Sequence, residues 1–235
     1  SKVDQIFLFS DEEILNVSRN RKKLRKIYSK ILISDNKTIE LCNNKAKLKV
    51  YLKNYIKFPG DNSKKLIVKP KIGRGSKYQI IIDKIKDIKI KNEIKKSKKY
   101  FVEEYIDGKE YTIDCVYDLE NKLIFSLPRE RIIKSNLSIV GKIIKNNRIV
   151  NYVKQLSKYL KFIGNVNIQV IINKKNQIFL IDINPRVSGS VIFSIKSGFN
   201  PFEFSRKILK QKKINEPRNI KYDKIYYRYW KTFQE

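Results

Sequence analysis

The sequence predicts a mixed α+β protein, and two kinds of pattern indicate it. Polar and apolar residues alternate at residues 165–172 and 177–183, which is typical of strands with one buried face. Apolar residues recur at helical spacing at residues 11–28 and 151–160. A chain of 235 residues with 41% hydrophobic content can bury a substantial core, as one large domain or as two small ones.

The N-terminal elements are expected to be a strand at residues 3–9, a helix at residues 11–28 and a strand at residues 30–34. Ser10 is a candidate N-cap for the helix, because its hydroxyl can accept a hydrogen bond from an unpaired backbone N–H. No dinucleotide-binding glycine fingerprint accompanies this pattern, so the sequence does not imply nicotinamide binding.

A second helix is expected to begin at Asn44, a good capping residue, and to end before Pro59. It carries Lys45 at its start. The other expected elements are strands near residues 66–69, 79–83, 112–117, 122–128, 165–172, 177–183 and 226–230, and helices before residue 97 and at residues 151–160 and 201–209.

A glycine-containing loop follows the β-branched run that ends in Lys69, and it contains Gly73, Gly75 and Ser76. Glycines let a backbone bend over phosphates so that its N–H groups point at them, and a strand-end lysine adds positive charge at the same place. An ordinary β-hairpin turn explains the same residues, because short motifs have a high false-positive rate.

An acidic segment at residues 101–114 contains Glu103, Glu104, Ile106 and Glu110 around an Asp-Gly pair. Asp-Gly is a strong hairpin signal, so two strands joined by a turn are expected here. A carboxylate such as that of Glu110 can accept two hydroxyl hydrogen bonds at once, which suits a sugar.

Oxygen ligands are expected to converge near the end of the chain's last long strand. Asp182 and Asn184 project from one face of that strand, and Gln169 can meet them from a neighbouring strand. Oxygen donors without Cys or His suit Mg²⁺, which leaves its other positions to phosphate oxygens and water. Arg186 follows two residues later, where it can neutralise a transferring phosphoryl group.

Taken in this order, the segments resemble the ATP-grasp superfamily, especially its carbamoyl-phosphate-synthase-like branch. The resemblance implies an ATP-grasp fold, in which two α/β lobes clasp ATP, preceded by a partial Rossmann-like segment. It places the C-terminal half of a pre-ATP-grasp domain at residues 1–40 and the ATP-grasp domain at residues 41–235. The lobes would span about residues 41–99 and about residues 100–235. The first half of the preceding domain has no counterpart here, so we expect either a fragment or a shortened member.

The resemblance also assigns roles to individual residues. ATP would be held by Lys45 and Lys69 at its phosphates, by Gly73, Gly75 and Ser76 over them, by Glu103, Glu104 and Ile106 at adenine, and by Glu110 at ribose. Mg²⁺, with Mn²⁺ as an alternative, would be held by Gln169, Asp182 and Asn184, and catalysis would involve Arg186, Lys69 and Arg131. Arg129 shares a strand face with Arg131, so either could point inward, and Arg186 with the following Ser188 and Ser190 is placed for the acceptor. Asn44 replaces the usual Asp, and Tyr78 stands where the family usually has Gly.

The implied function is an ADP-forming ligase that activates a substrate carboxylate as an acyl phosphate for capture by an amine or a similar nucleophile. Its partners would be ATP and a small carboxylate, and the sequence leaves open whether the chain forms a homodimer. Two other classes are kept as alternatives: a nucleotide-binding module without turnover, and a basic nucleic-acid-binding protein.

Composition excludes several kinds of catalysis and of metal site. The chain has no histidine, so Ser-His-Asp and Cys-His catalysis and His-ligated metal sites are excluded. The net charge of +30 comes mostly from lysines spread along the whole chain without a nucleic-acid-binding motif. We therefore expect a solvated basic surface and no specific nucleic acid partner. The two cysteines are expected to be reduced and buried, and without a membrane span or signal peptide the cytoplasm is the expected location.

Overall fold

The computed structural model describes residues 3–61, 63–73, 78–84, 86–134 and 138–229. These residues form a three-stranded and a six-stranded antiparallel sheet with helices against them. None of the helices in these ranges is both long and apolar enough to cross a membrane.

The N-terminal part contains α1 (Asp11–Arg19), α2 (Arg25–Tyr28), α3 (Asn36–Asn43) and α4 (Lys45–Leu52). The capping prediction is confirmed, since Ser10 Oγ accepts from the backbone N–H of Glu13. The single helix predicted at residues 11–28 is wrong, because the Asn20 amide donates to the carbonyl of Asn16 and closes α1.

The strands predicted at residues 3–9 and 30–34 are also wrong as ladder strands. Neither segment forms a strand in the structure, although a hydrogen bond from Ile6 N to Lys30 O joins them. Their apolar side chains instead complete a small core around the buried Ile14, Ile33 and Ile39. Burial of apolar surface, rather than strand pairing, therefore holds this segment.

The smaller sheet contains β1 (Lys65–Pro70), β2 (Ile80–Asp83) and β3 (Tyr100–Glu104), in the order β2-β1-β3, with α5 (Ile88–Lys96) against it. Because β3 pairs with β1 along its whole length, from Pro70↔Tyr100 to Leu66↔Glu104, this sheet extends beyond the lobe boundary expected near residue 99.

The larger sheet follows the order β8-β7-β4-β5-β6-β9. Its strands are β4 (Gly108–Tyr117), β5 (Leu123–Lys134), β6 (Ser138–Ile143), β7 (Gly164–Asn173), β8 (Ile178–Asn184) and β9 (Ile225–Tyr227), and its helices are α6 (Asn147–Leu156), α7 (Ile192–Lys196) and α8 (Pro201–Leu209). Strands β7 and β8 and helix α8 match their predictions to within one residue, whereas β4 begins four residues earlier and β5 ends six residues later than predicted, and β6 was not predicted. Helix α6 begins four residues earlier than the predicted residue 151, because Asn146 Oδ1 accepts from the backbone N–H groups of Arg148 and Ile149.

Strand alternation separates the core from the polar face of this sheet. On β7, Val166, Ile168 and Val170 pack into the main hydrophobic core with α6, so the intervening Asn167 and Gln169 project from the opposite face. That polar face lies towards the smaller sheet and lines a cleft.

Candidate functional site

A cleft of about 470 Å³ lies between the two sheets. It brings together most of the residues predicted to have a role: Lys45, Lys69, Gly73, Glu104, Ile106, Glu110, Arg131, Gln169, Asp182, Asn184 and Arg186. Glu103 does not line it. Gly75 and Ser76 lie outside the described residues.

The oxygen cluster predicted from strand alternation forms at the edge of the larger sheet. Strand register pairs Gln169 with Asp182 and Asn167 with Asn184. Asp182 and Asn184 are both buried, and Asn184 Nδ2 donates to Asp182 Oδ2 at 3.3 Å. A carboxylate and amide oxygens are hard donors, so this set fits a Mg²⁺ ion that shares its remaining positions with phosphate oxygens.

Lys45 reaches this cluster from the other side of the cleft. Its Nζ donates to Asp182 Oδ1 at 2.8 Å and to the carbonyl of Gly73 at 3.1 Å. Asn44 Oδ1 accepts from Lys47 N and so starts α4 at this point. The position beside Asp182 therefore already accommodates a cation, which supports the fit of the donor set to a metal ion.

Gly73, whose carbonyl accepts from Lys45, has a φ of +153°. Residues with a side chain rarely adopt this conformation. Tyr78, beyond the loop, has a φ of +58°. A positive φ explains why glycine is usual at such a position, and Tyr78 adopts it at some cost in strain.

Lys69 forms a buried ion pair with Glu103 across the smaller sheet. The other carboxylate oxygen of Glu103 lies 3.8 Å from Lys49 Nζ. Burial lowers the pKa of Lys49, and Glu103 opposes that shift. The sequence analysis missed Lys49, although it lies one helical turn after Lys45 and therefore on the same face of α4.

Backbone hydrogen bonds hold Glu104 and Tyr105, where the chain passes from the smaller to the larger sheet. Glu104 N donates to Gly60 O at 2.7 Å, and Tyr105 N donates to Lys65 O at 3.0 Å. Any main-chain contact that Glu104 makes with a ligand must therefore use its carbonyl. Glu104, Tyr105 and Ile106 all line the cleft.

Glu110 and Arg131 form an ion pair on the neighbouring strands β4 and β5, with Arg131 NH1 3.3 Å from Glu110 Oε2. Burial lowers the pKa of Arg131, and Glu110 opposes that shift. Within the described residues, Arg131 Nε has no hydrogen-bond partner although it is buried. Arg131 thus keeps an unused donor in the wall of the cleft.

Arg186 is held by an acidic residue that the sequence analysis did not single out. Arg186 Nε lies 2.6 Å from Asp11 Oδ1 and NH2 lies 3.2 Å from Asp11 Oδ2, a bidentate pair. Arg186 NH2 also donates to Asn184 Oδ1 at 3.3 Å. No local pattern could have revealed Asp11, because the two residues lie 175 positions apart.

Comparison with known proteins places the chain in a family. The sequence profile described as "ATP-grasp in the biosynthetic pathway with Ter operon" matches residues 96–230, which is more than half of the chain. The chain belongs to this ATP-grasp family.

Among curated proteins, the ATP-grasp chain is similar to the carbamoyl phosphate synthase large chain of Thermoanaerobacter sp. (strain X514). The two are 28% identical over 218 residues, which is 87% of this chain and 20% of the relative. The chain thus spans about a fifth of the length of that relative.

Solved structures show the ATP-grasp fold. The biotin carboxylase–β,γ-ATP complex of Campylobacter jejuni aligns with a TM-score of 0.71 at 14% identity, covering 95% of this chain and 58% of that one. The L-amino acid ligase of Bacillus licheniformis aligns with a TM-score of 0.68 at 18% identity, covering 88% and 56%.

Other polar residues of the ATP-grasp cleft were missed by the sequence analysis, among them Gln79, Thr112, Ser138 and Asn167. Asn167 could have been found, because it precedes Gln169 by two residues and so shares its strand face. Thr112 and Ser138 carry no such signal.

Proposed function

We propose that this ATP-grasp chain binds ATP with Mg²⁺ and transfers its γ-phosphoryl group to a substrate carboxylate. The single observation that carries the proposal is the convergence of Lys45, Lys69 and Arg186 with the Asp182–Asn184 oxygen cluster in one cleft. Three cationic side chains beside a metal-compatible donor set suit a polyphosphate with developing negative charge.

ATP would lie across the cleft. Ile106 and the Glu104 carbonyl would contact the adenine, and Glu110, oriented by Arg131, would accept hydrogen bonds from the ribose hydroxyls. Lys69 would meet the phosphates. Glu103, which pairs with Lys69 outside the cleft lining, would then orient this lysine rather than touch the adenine.

Gln169, Asp182 and Asn184 would hold the Mg²⁺, which supplies charge neutralisation to the phosphate oxygens when bound. Mn²⁺ has the same preference for oxygen donors and is the natural spectroscopic substitute. Lys45 would exchange its contact with Asp182 for one with a phosphate oxygen.

The proposed reaction has two steps. A carboxylate oxygen attacks the γ-phosphorus, the bond between that phosphorus and the oxygen it shares with ADP breaks, and ADP leaves. An amine nitrogen then attacks the acyl carbon, inorganic phosphate leaves with the electron pair of its C–O bond, and the nitrogen loses a proton. The carboxylate is already an anion, so the first step needs charge screening and in-line positioning and no enzymic base.

Two experiments test this proposal. Mg-ATP should raise the melting temperature of the wild-type chain, and Lys69→Ala should remove most of that shift, whereas Lys65→Ala, an exposed lysine on the same strand, should keep it. Equal melting-temperature shifts in all three proteins would refute the phosphate site.

Asp182→Ala should keep adenine contacts yet abolish metal-dependent ADP release in the presence of carboxylates and amines. Binding without ADP release in the wild type, across broad substrate panels, would favour the nucleotide-binding module instead.

A further inference from the structure

Arg129 lies behind the cleft and is completely buried, with 0% of its surface exposed. It projects from β5 and does not line the cleft. Its NH1 lies 3.1 Å from Asp114 Oδ2 and 3.3 Å from Ser194 Oγ, and its NH2 donates to Ser190 Oγ at 2.6 Å. A buried guanidinium is costly unless it is paired and hydrogen-bonded, so such a group calls for an explanation.

The direction of these hydrogen bonds determines what Ser190 can do. A guanidinium only donates, so Ser190 Oγ must accept from Arg129 and its own proton remains for another acceptor. The Asp114 carboxylate accepts from Ser194, Asn167 and Arg129, and no hydrogen bond from Ser190 to Asp114 is present among the described residues. Within the described residues, no acceptor contacts the Ser190 hydroxyl proton.

The Ser188 hydroxyl is arranged in the same way as that of Ser190, with its oxygen accepting a hydrogen bond. Its Oγ accepts from Ser190 N at 3.3 Å, which leaves its proton available as well. Both serines line the cleft next to Arg186. The intervening carbonyl of Gly189 accepts from Arg228 NH2 at 2.9 Å, which reduces its repulsion of an anion. The end of the cleft therefore presents hydroxyl donors and a guanidinium.

We propose that Arg129 is a positioning residue that fixes the Ser190 hydroxyl as a hydrogen-bond donor for the carboxylate of the acceptor substrate. Ser190, Ser188 and Arg186 form the receptor, and Arg129 acts through Ser190 without touching the substrate. Donors alone favour an oxyanion over a neutral amide or a cation. This inference rests on the proposed function, because it assigns the carboxylate site of the same reaction.

The packing around Arg129 supports a fixed position. Its guanidinium lies 5.3 Å from the ring centroid of Phe193. A Cβ at Gly141 would come within 2.7 Å of Arg129 Cδ, so this strand position must lack a side chain for Arg129 to fit. Gly141→Ala is therefore an independent way to displace Arg129 while keeping its charge.

The test uses the ¹⁵N-labelled chain saturated with Mg-ADP, titrated with sodium acetate, while the amide signals of Ser188, Gly189 and Ser190 are followed. Acetamide and sodium chloride serve as ligand controls. Ser190→Ala and Arg129→Lys should weaken acetate binding about tenfold, the usual effect of losing a hydrogen bond to a charged group. Ser190→Thr should restore it to within about threefold of wild type, and Mg-ADP affinity should stay unchanged in every variant.

Ser194→Ala is the matched control, because it also removes a contact with Arg129 and Asp114 but lies outside the cleft lining. If Arg129 had a purely structural role, Ser194→Ala and Ser190→Ala would weaken acetate binding equally. That result would overturn the inference. Wild-type acetate affinity in Ser190→Ala and Arg129→Lys, or an equal response to acetamide, would also overturn it. If Arg129→Lys does not fold, Gly141→Ala takes its place. Failure of the wild type to bind Mg-ADP would instead contradict the proposed function.

Discussion

The ammonium group of Lys45 lies 2.8 Å from Asp182 Oδ1 and joins the start of α4 to the end of β8 across 137 sequence positions. Both side chains are largely buried, so solvent screens their attraction only weakly. A metal ion at Asp182 would have to compete with this ammonium group.

Lys45→Met is therefore expected to raise the affinity of the nucleotide-free chain for Mn²⁺ about three- to tenfold, because the competing cation is removed. The same change should weaken ATP binding. Electron paramagnetic resonance of free Mn²⁺ measures the first effect, with the exposed Lys47→Met on the same helix as control. Unchanged Mn²⁺ affinity in Lys45→Met would show that Asp182 is not a metal ligand.

The Asp11–Arg186 pair predicts that removing a negative charge strengthens binding of the substrate carboxylate. Asp11 presents a carboxylate to the guanidinium that is proposed to receive the substrate carboxylate, so the two carboxylates compete. Asp11→Asn should tighten acetate binding to the Mg-ADP complex about three- to tenfold. The same NMR titration measures it, with the exposed Asp4→Asn as control. Weaker binding in Asp11→Asn would show that Asp11 orients Arg186 instead.

The capping box of α1 predicts a pH dependence of stability. Backbone N–H groups of Phe9 and Ser10 hold the pKa of Glu13 below its usual value of 4.5. A carboxyl group with a depressed folded-state pKa stabilises the fold above its unfolded pKa, and this stability is lost as the pH falls through the folded pKa. Glu13→Gln should thus melt below wild type at neutral pH, and the difference should shrink as the pH falls below about 4.5.

Melting curves of both chains across this pH range provide the check. Glu120→Gln, in the exposed turn after β4, is the control for removing a surface carboxylate. A difference between Glu13→Gln and wild type that stays constant down to acidic pH would argue against a charge-dependent cap.

The basic surface gives a prediction about polyanions. Affinity for a generic oligonucleotide should be weak near physiological salt and fall steeply as salt rises, without sequence preference, because only phosphate contacts are made. Mg-ATP binding should depend on salt much less, since adenine and ribose contribute. Paired salt titrations measure both. Tight, sequence-selective oligonucleotide binding together with no ATP binding would favour the nucleic-acid alternative.

The sequence by itself predicted which residues share a face on β7 and β8 and that oxygen donors converge there. Alternation with a period of two puts Asp182 and Asn184 on one face, and it puts Asn167 on the same face as Gln169. Capping was equally local, as Ser10 and Asn44 both cap the helices expected of them. Such features depend on neighbours within a few residues, so a sequence pattern is enough to reveal them.

Only the tertiary structure decided which charged groups meet. Asp11 reaches Arg186, Lys45 reaches Asp182, and Arg129 is enclosed by Asp114 and Ser190, all through contacts between distant segments. In a chain with 53 lysine and arginine residues, charge alone cannot identify these few. Burial selects them, because a charge removed from water must be paired, and only the packed fold determines which charges are removed.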